Sequence, residues 1–223
     1  IGSASGNICS WDMRAVQALG CDEADMVFLE VCPECCEILE KRFPRARVIR
    51  KSILNKTVTD GLVAEYKGKF DLIVVAIPCQ PSSNANPHRS PTDARIGVGE
   101  AAVRVACELD ARAVIVEDVD SFDHNQPIAY KTVVDELTEQ YKQVKTIKLD
   151  ARLAMVPSRR RRMFILATSS VDLGPTARLL GAQERYAKIS GVRTHPTVRE
   201  SEEQYRSMRK VEGIFYPHLS GAL

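Results

Sequence analysis

The sequence predicts a doubly wound α/β fold: a mostly parallel sheet with an antiparallel edge and helices on both faces. Three observations predict it. The runs FDLIVVAI (70–77) and AVIVEDV (113–119) lack the polar alternation of a half-exposed strand and read as strands buried on both faces. Longer amphipathic stretches lie between such runs, so strand and helix alternate through most of the chain. Finally, VKTIKLDA (144–151) and RRMFILATS (161–169) follow one another closely and read as an antiparallel edge.

In chain order, the turn IGSASGN leads to a helical stretch over 11–19 and a strand in ADMVFLE that ends in Glu30. PECCEILEKRF reads as the helix after it and RVIRKSI as a third, less apolar strand. FDLIVVAI is the fourth strand, and the polar segment 80–92, rich in Pro, Ser and Asn, reads as a mobile loop of functional length. ARIGVGEAAVRVACELD is a helix, AVIVEDV a buried strand, and IAYKTVVDELTEQY an amphipathic helix before the final strand pair. The opening glycine-rich turn suggests that a strand precedes Ile1 and that the chain is a fragment. From Asp172 the pattern breaks into short charged pieces, so the reading is one domain over 1–171 and a partial or reduced target-recognition region over 172–223.

Composition bounds the function. At 223 residues, 44% apolar and 27% charged, the chain can bury a core. A net charge of +2 does not by itself imply a polyanion partner, so local clusters must carry that argument. Seven cysteines with no regular framework, signal peptide or long apolar span point to reduced thiols inside a cell, in cytoplasm or nucleus, and away from membranes. Cys32, Cys35 and Cys36 fall short of a zinc set, so no metal is expected and helix packing is the better reading.

Three residues fall at the C-terminal ends of predicted strands, which share one rim in an open α/β sheet. Glu30 suits an acceptor for the ribose hydroxyls of a nucleotide. Cys79, behind Pro78, sits where a thiolate could meet a substrate, although a free cysteine is more often simply buried. Glu117 is a carboxylate leaving an apolar strand, where desolvation would raise its pKa. The run Arg159–Arg162 abuts a strand, and alternation puts Arg160 and Arg162 on one face and Arg159 and Arg161 on the other. Arginines anchored in this way suit phosphate contact or a fixed bond to a substrate oxygen.

Taken in order, these residues resemble the DNA (cytosine-5) methyltransferases. IGSAS matches the family's glycine-rich turn, Glu30 in LEV its strand-end acid, and PCQPSS (Pro78, Cys79, Gln80, Ser83) its nucleophile loop. Asp93 and Arg95 match its Asp-x-Arg helix start, Glu117 in EDV its Glu-Asn-Val, and Arg160 and Arg162 its Gln-x-Arg-x-Arg strand. The resemblance covers about the first three quarters of the chain. Asp118 replaces the Asn of Glu-Asn-Val, Ser158 the Gln of the arginine motif, and Ser52 an Asp that contacts adenine. Val31 stands where many members keep a larger residue, and Val198–Glu200 matches a late motif faintly.

The resemblance implies a Rossmann-like S-adenosylmethionine-dependent methyltransferase fold, with double-stranded DNA as partner. It implies that Cys79 attacks C6 of a flipped cytosine, that Glu117 holds N3 and the exocyclic amine, and that Arg160 or Arg162 holds O2. Gly2, Ser3, Glu30, Val31, Ile53 and Pro78 would bind S-adenosylmethionine, and Gln80, Ser83, His88, Arg89 and Arg95 would face DNA. Asp118 is expected to point away from Glu117 and to perturb it only weakly. Two other readings are a catalytically silent methyltransferase-like module that binds DNA or a partner, and a nicotinamide-dependent redox enzyme. The incomplete glycine fingerprint weakens the second of these.

Overall fold

The computed structural model describes residues 22–151 and 160–175. Gly2 and Ser3, the helix expected over 11–19, Ser158, Arg159 and nearly all of the region from 172 onward lie outside the described residues.

After a 3-10 turn at Glu23–Asp25, the chain forms β1 (Val27–Glu30), α1 (Pro33–Arg42) and β2 (Arg47–Arg50). Then come α2 (Lys56–Tyr66), β3 (Leu72–Ala76) and α3 (Arg95–Glu108). The rest is β4 (Ala113–Val119), the single turn α4 (Phe122–Asn125), α5 (Pro127–Gln140), β5 (Gln143–Asp150) and β6 (Arg161–Thr168). The sequence reading assigned neither α2 nor α4. Asn55 opens α2 by accepting the Val58 N–H through its side chain at 3.2 Å.

Two hydrogen-bonded ladders result. β1 and β2 pair in parallel, and a second sheet runs β3-β4-β6-β5, with β3 parallel to β4 and β6 antiparallel to both neighbours. The two strands expected as an antiparallel edge, β5 and β6, do pair there. β6 returns between β4 and β5, and β5 forms the edge.

Alternation along β1 sends Phe28 to one side, against Leu39 and Phe43, and Val27 and Leu29 to the other, against Leu62 of α2. Helices thus cover both faces of the smaller ladder. The main core lies on one face of the larger sheet, where Ile73, Val75, Val114, Val116, Met163 and Ile165 meet Val103 of α3 and Val133 and Leu137 of α5. Each such buried side chain contributes roughly 1.5–3 kcal/mol. Gly99 lets α3 approach β3 closely, because a Cβ there would sit 2.7 Å from Ile77 Cγ2.

Between β1 and β3 runs a cavity walled by Val27, Leu29, Leu62, Ile73, Val75 and Val105. Val31, Lys51, Ser52, Ile53 and Ala76 line it as well. Among the described residues no helix is long and apolar enough to cross a membrane.

Candidate active site

The parallel register brings the strand ends together. Ala76 lies opposite Glu117, and the ladder runs one residue further as Ile77 N–H donates to Glu117 O at 3.0 Å. Pro78 and Cys79 therefore leave β3 beside Glu117 and Asp118. Pro78 is buried and, with Ile77, Pro81, Ser82 and Gly99, lines a second small cavity under α3 and α5 rather than the cavity between the ladders. Cys79 is half-buried, and its carbonyl accepts the N–H groups of Ser82 (3.1 Å) and Ser83 (2.8 Å), so the chain folds back at once.

The antiparallel return of β6 brings in the cations. Arg162 Nε lies 3.0 Å from Glu117 Oε1. Arg161 turns the other way, to Asp120 at 3.2 Å, as strand alternation requires. Arg160 is exposed just before the strand, and its charge lowers the Glu117 pKa along with that of Arg162. Burial outweighs both, so the Glu117 carboxyl is raised from its ordinary value.

Burial also raises the Cys79 thiol, with Asp118 and Glu117 adding to the rise and Arg162 opposing it. Asp118 is 2% exposed; its Oδ1 accepts the Val119 N–H at 2.6 Å, while its Oδ2 is buried without a hydrogen-bond partner. Burial pushes Asp118 up to about 7, helped by Glu117 and opposed by the Val119 N–H, the Ser82 hydroxyl and Arg162. Glu117 and Asp118 thus oppose each other's charge, and Asp118 acts on Cys79 as well.

The loop after Cys79 has no helix or strand, yet its first half is tied down. Ser82 O accepts from Ser121 Oγ (2.7 Å) and Asn125 Nδ2 (2.8 Å). Gln126 Nε2 donates to Pro81 O (3.1 Å) and Ser90 O (3.3 Å). Sequence reasoning missed Ser121, Asn125 and Gln126, and the polar cluster around the short α4 turn was the signal available. Gln80, His88 and Arg89 are exposed, with Arg89 donating to Ser83 O at 3.0 Å. Arg95 is also exposed but forked onto Asp93 at 2.9 and 2.6 Å, and that pairing holds the Asp93 carboxyl down at about 2.

At the end of β1, Glu30 is 2% exposed and its Oε1 accepts the N–H groups of Val31 (2.8 Å) and Cys32 (2.9 Å). One carboxylate oxygen is left for a diol. Val31, Ser52 and Ile53 line the adjoining apolar cavity. These residues fit the adenosine half of a nucleotide cofactor. Cys35 and Cys36 are buried in α1, and the described residues hold no group of three or more His, Cys, Asp or Glu able to bind a metal.

One α/β scaffold thus carries a strand-end acid beside one cavity and a cysteine loop beside a paired Glu and Arg, and the solved structures it matches place it in the methyltransferase fold class. The chain matches the profile described as C-5 cytosine-specific DNA methylase over residues 18–211, and it belongs to that family. It is 25% identical over 177 residues to the type II methyltransferase M1.BsuMI of Bacillus subtilis, covering 75% of this chain and 42% of the relative. The fold matches a Dnmt2 methyltransferase of S. pombe with a TM-score of 0.53 at 14% identity, over 77% of this chain and 49% of that one. It also matches a prophage-encoded E. coli protein described as a DNA modification methyltransferase, with a TM-score of 0.54 at 20% identity, over 68% and 42% of the two chains. The chain spans less than half the length of each of these relatives.

Proposed function

We propose that this chain carries the cofactor-binding and catalytic part of an enzyme that methylates C5 of cytosine in double-stranded DNA through a covalent Cys79 adduct. The observation that supports it best is the convergence of Cys79, Glu117 and Arg162 at one rim: Ala76 opposite Glu117, and Arg162 paired with Glu117. In this reading, a cytosine flipped from the duplex stacks in the crevice beside Cys79. The Cys79 thiolate adds to C6. Glu117, whose carboxyl burial raises above its ordinary value, holds N3 and the exocyclic amine as negative charge builds on the ring, and Arg162 holds O2. S-adenosylmethionine, when bound, supplies the methyl group as a sulfonium substituent. Loss of the C5 proton then expels the thiolate and restores the ring.

Glu30, Val31 and Ile53 would hold the cofactor's adenosine half. Gln80, Ser83, His88, Arg89 and Arg95 would meet the DNA backbone, and residues 172–223 would contribute part of a target-recognition region. The raised Cys79 thiol, with Asp118 set against it, favours one second reading: a silent module that keeps the fold and binds DNA without turnover.

A duplex containing 5-fluorocytosine, offered with S-adenosylmethionine, separates the two. The enzyme reading expects a covalent complex that disappears in Cys79→Ala while the circular dichroism spectrum is unchanged. No adduct with the unmutated protein, or an adduct that persists in the alanine variant, would overturn it.

A further inference from the structure

A fully buried carboxylate faces the nucleophile loop from the strand beside it. Asp118 Oδ1 accepts the Val119 N–H, while Oδ2 is buried without a hydrogen bond and has the Ser82 hydroxyl nearby to favour a charge. An anion in that position has an uncompensated oxygen in a low-dielectric site, whereas a protonated acid is neutral there. Few charges reach it. Glu117 adjoins it on β4, the Ser82 hydroxyl and the Cys79 thiol belong to the loop above, and Arg162 comes from β6. Glu117 disfavours the anion and Arg162 favours it, and Arg162 is already committed to Glu117 at 3.0 Å.

We propose that Asp118 is a positioning residue that works as the neutral carboxylic acid, and that its ionisation suppresses formation of the Cys79 thiolate. This rests on the reading of Cys79 as the nucleophile, but its physical basis does not require methyl transfer. In the neutral state the thiol loses its proton to solvent against burial and Glu117 alone. Once Asp118 releases its own proton, a second negative charge opposes the thiolate. The two deprotonations are therefore antagonistic, and raising the pH gains less thiolate than an isolated thiol would show.

The test is the rate at which iodoacetamide alkylates Cys79, resolved from the other cysteines by peptide mass spectrometry and followed from acid to alkaline pH. It uses the full chain and needs neither DNA nor cofactor, so it reads out whether or not methyl transfer occurs. Asp118→Asn keeps the shape and removes the ionisation. The unmutated and Asn proteins should react within about twofold of each other near pH 6, and the Asn protein about tenfold faster near pH 9. Asp118→Ser, neutral and smaller, should behave like Asn and serves if the Asn protein does not fold. A ratio independent of pH overturns the proposal, and so does an unmutated protein that reacts faster than both variants at alkaline pH.

Discussion

Arg162 reaches Glu117 diagonally across the β4–β6 ladder at 3.0 Å, although the residue opposite Arg162 is Val119 and the one opposite Glu117 is Phe164. The diagonal exists because β6 runs antiparallel to β4, so the cation enters from the rim where Cys79 emerges. Arg162→Ala should leave Glu117 without its nearest counter-charge, destabilise the fold by about 1–3 kcal/mol and slow adduct formation at least tenfold. Arg162→Lys should recover stability better than rate, because one ammonium cannot reproduce the guanidinium fork. Thermal melts and trapping rates on the two variants check this.

Gln126 is 5% exposed and ties Pro81 O and Ser90 O together, while Asn125 holds Ser82 O. Gln126→Ala should cost about 1–3 kcal/mol by stranding buried carbonyls. It should lower the trapping rate without changing affinity for S-adenosylhomocysteine, because these bonds hold the cysteine loop and do not touch the cavity beside Glu30. Equal losses in both measurements would show that the whole fold had loosened.

Two glycines of α3 should respond in opposite senses. Gly99→Ala drives a methyl against Ile77 and should destabilise by about 1–3 kcal/mol. Gly97 has nothing within 4 Å of an added Cβ, so Gly97→Ala should stabilise by about 0.5–1 kcal/mol. Urea unfolding of both variants gives the comparison.

The contribution of Asp118 to stability should fall as pH rises from about 4 to about 7. Asp118 ionises near 3.8 when unfolded and near 7 when folded. Its penalty is therefore absent below about 4, grows between the two values and is complete above about 7, reaching at most about 4 kcal/mol. Asp118→Asn should flatten that slope and stabilise most at pH 8. It should also keep or raise activity in any active form of the protein. Asp93 acts in the opposite sense, since its pairing with Arg95 is lost as pH falls toward about 2.

Glu30→Gln keeps an acceptor for the Val31 and Cys32 N–H groups while removing the charge beside the cavity. Affinity for S-adenosylhomocysteine by isothermal titration should drop about tenfold with DNA affinity unchanged, since hydrogen bonds to a charged group contribute roughly 1.5–3 kcal/mol. Unchanged cofactor affinity would remove Glu30 from the binding site.

The strands carrying Glu30, Cys79 and Glu117 were legible because a buried strand writes itself as an unbroken apolar run, and its end is marked where polarity returns. The helix Lys56–Tyr66 was not, since Thr57, Thr59, Asp60 and Gly61 dilute its apolar stripe; the Asn55 cap was the remaining sign. The order β4-β6-β5 was also hidden, because closeness in sequence shows that two strands pair but not which one takes the inner place. The tethers from Ser121, Asn125 and Gln126 span 36 to 45 residues, and no local pattern encodes a bond to a distant carbonyl. Strand alternation separates the faces of Asp118 and Glu117, yet Glu117 still raises the Asp118 carboxyl, and the effect of Asp118 on Cys79 depends on how the loop folds back over it.

Among the described residues, the cavity between β1 and β3 is walled by side chains from both ladders. Ile53, Tyr66 and Phe70 pack against the core clusters on both sides of it. A molecule seated there touches both ladders at once. Its binding energy then enters directly into the cohesion of the fold, and the melting temperature should climb with its concentration.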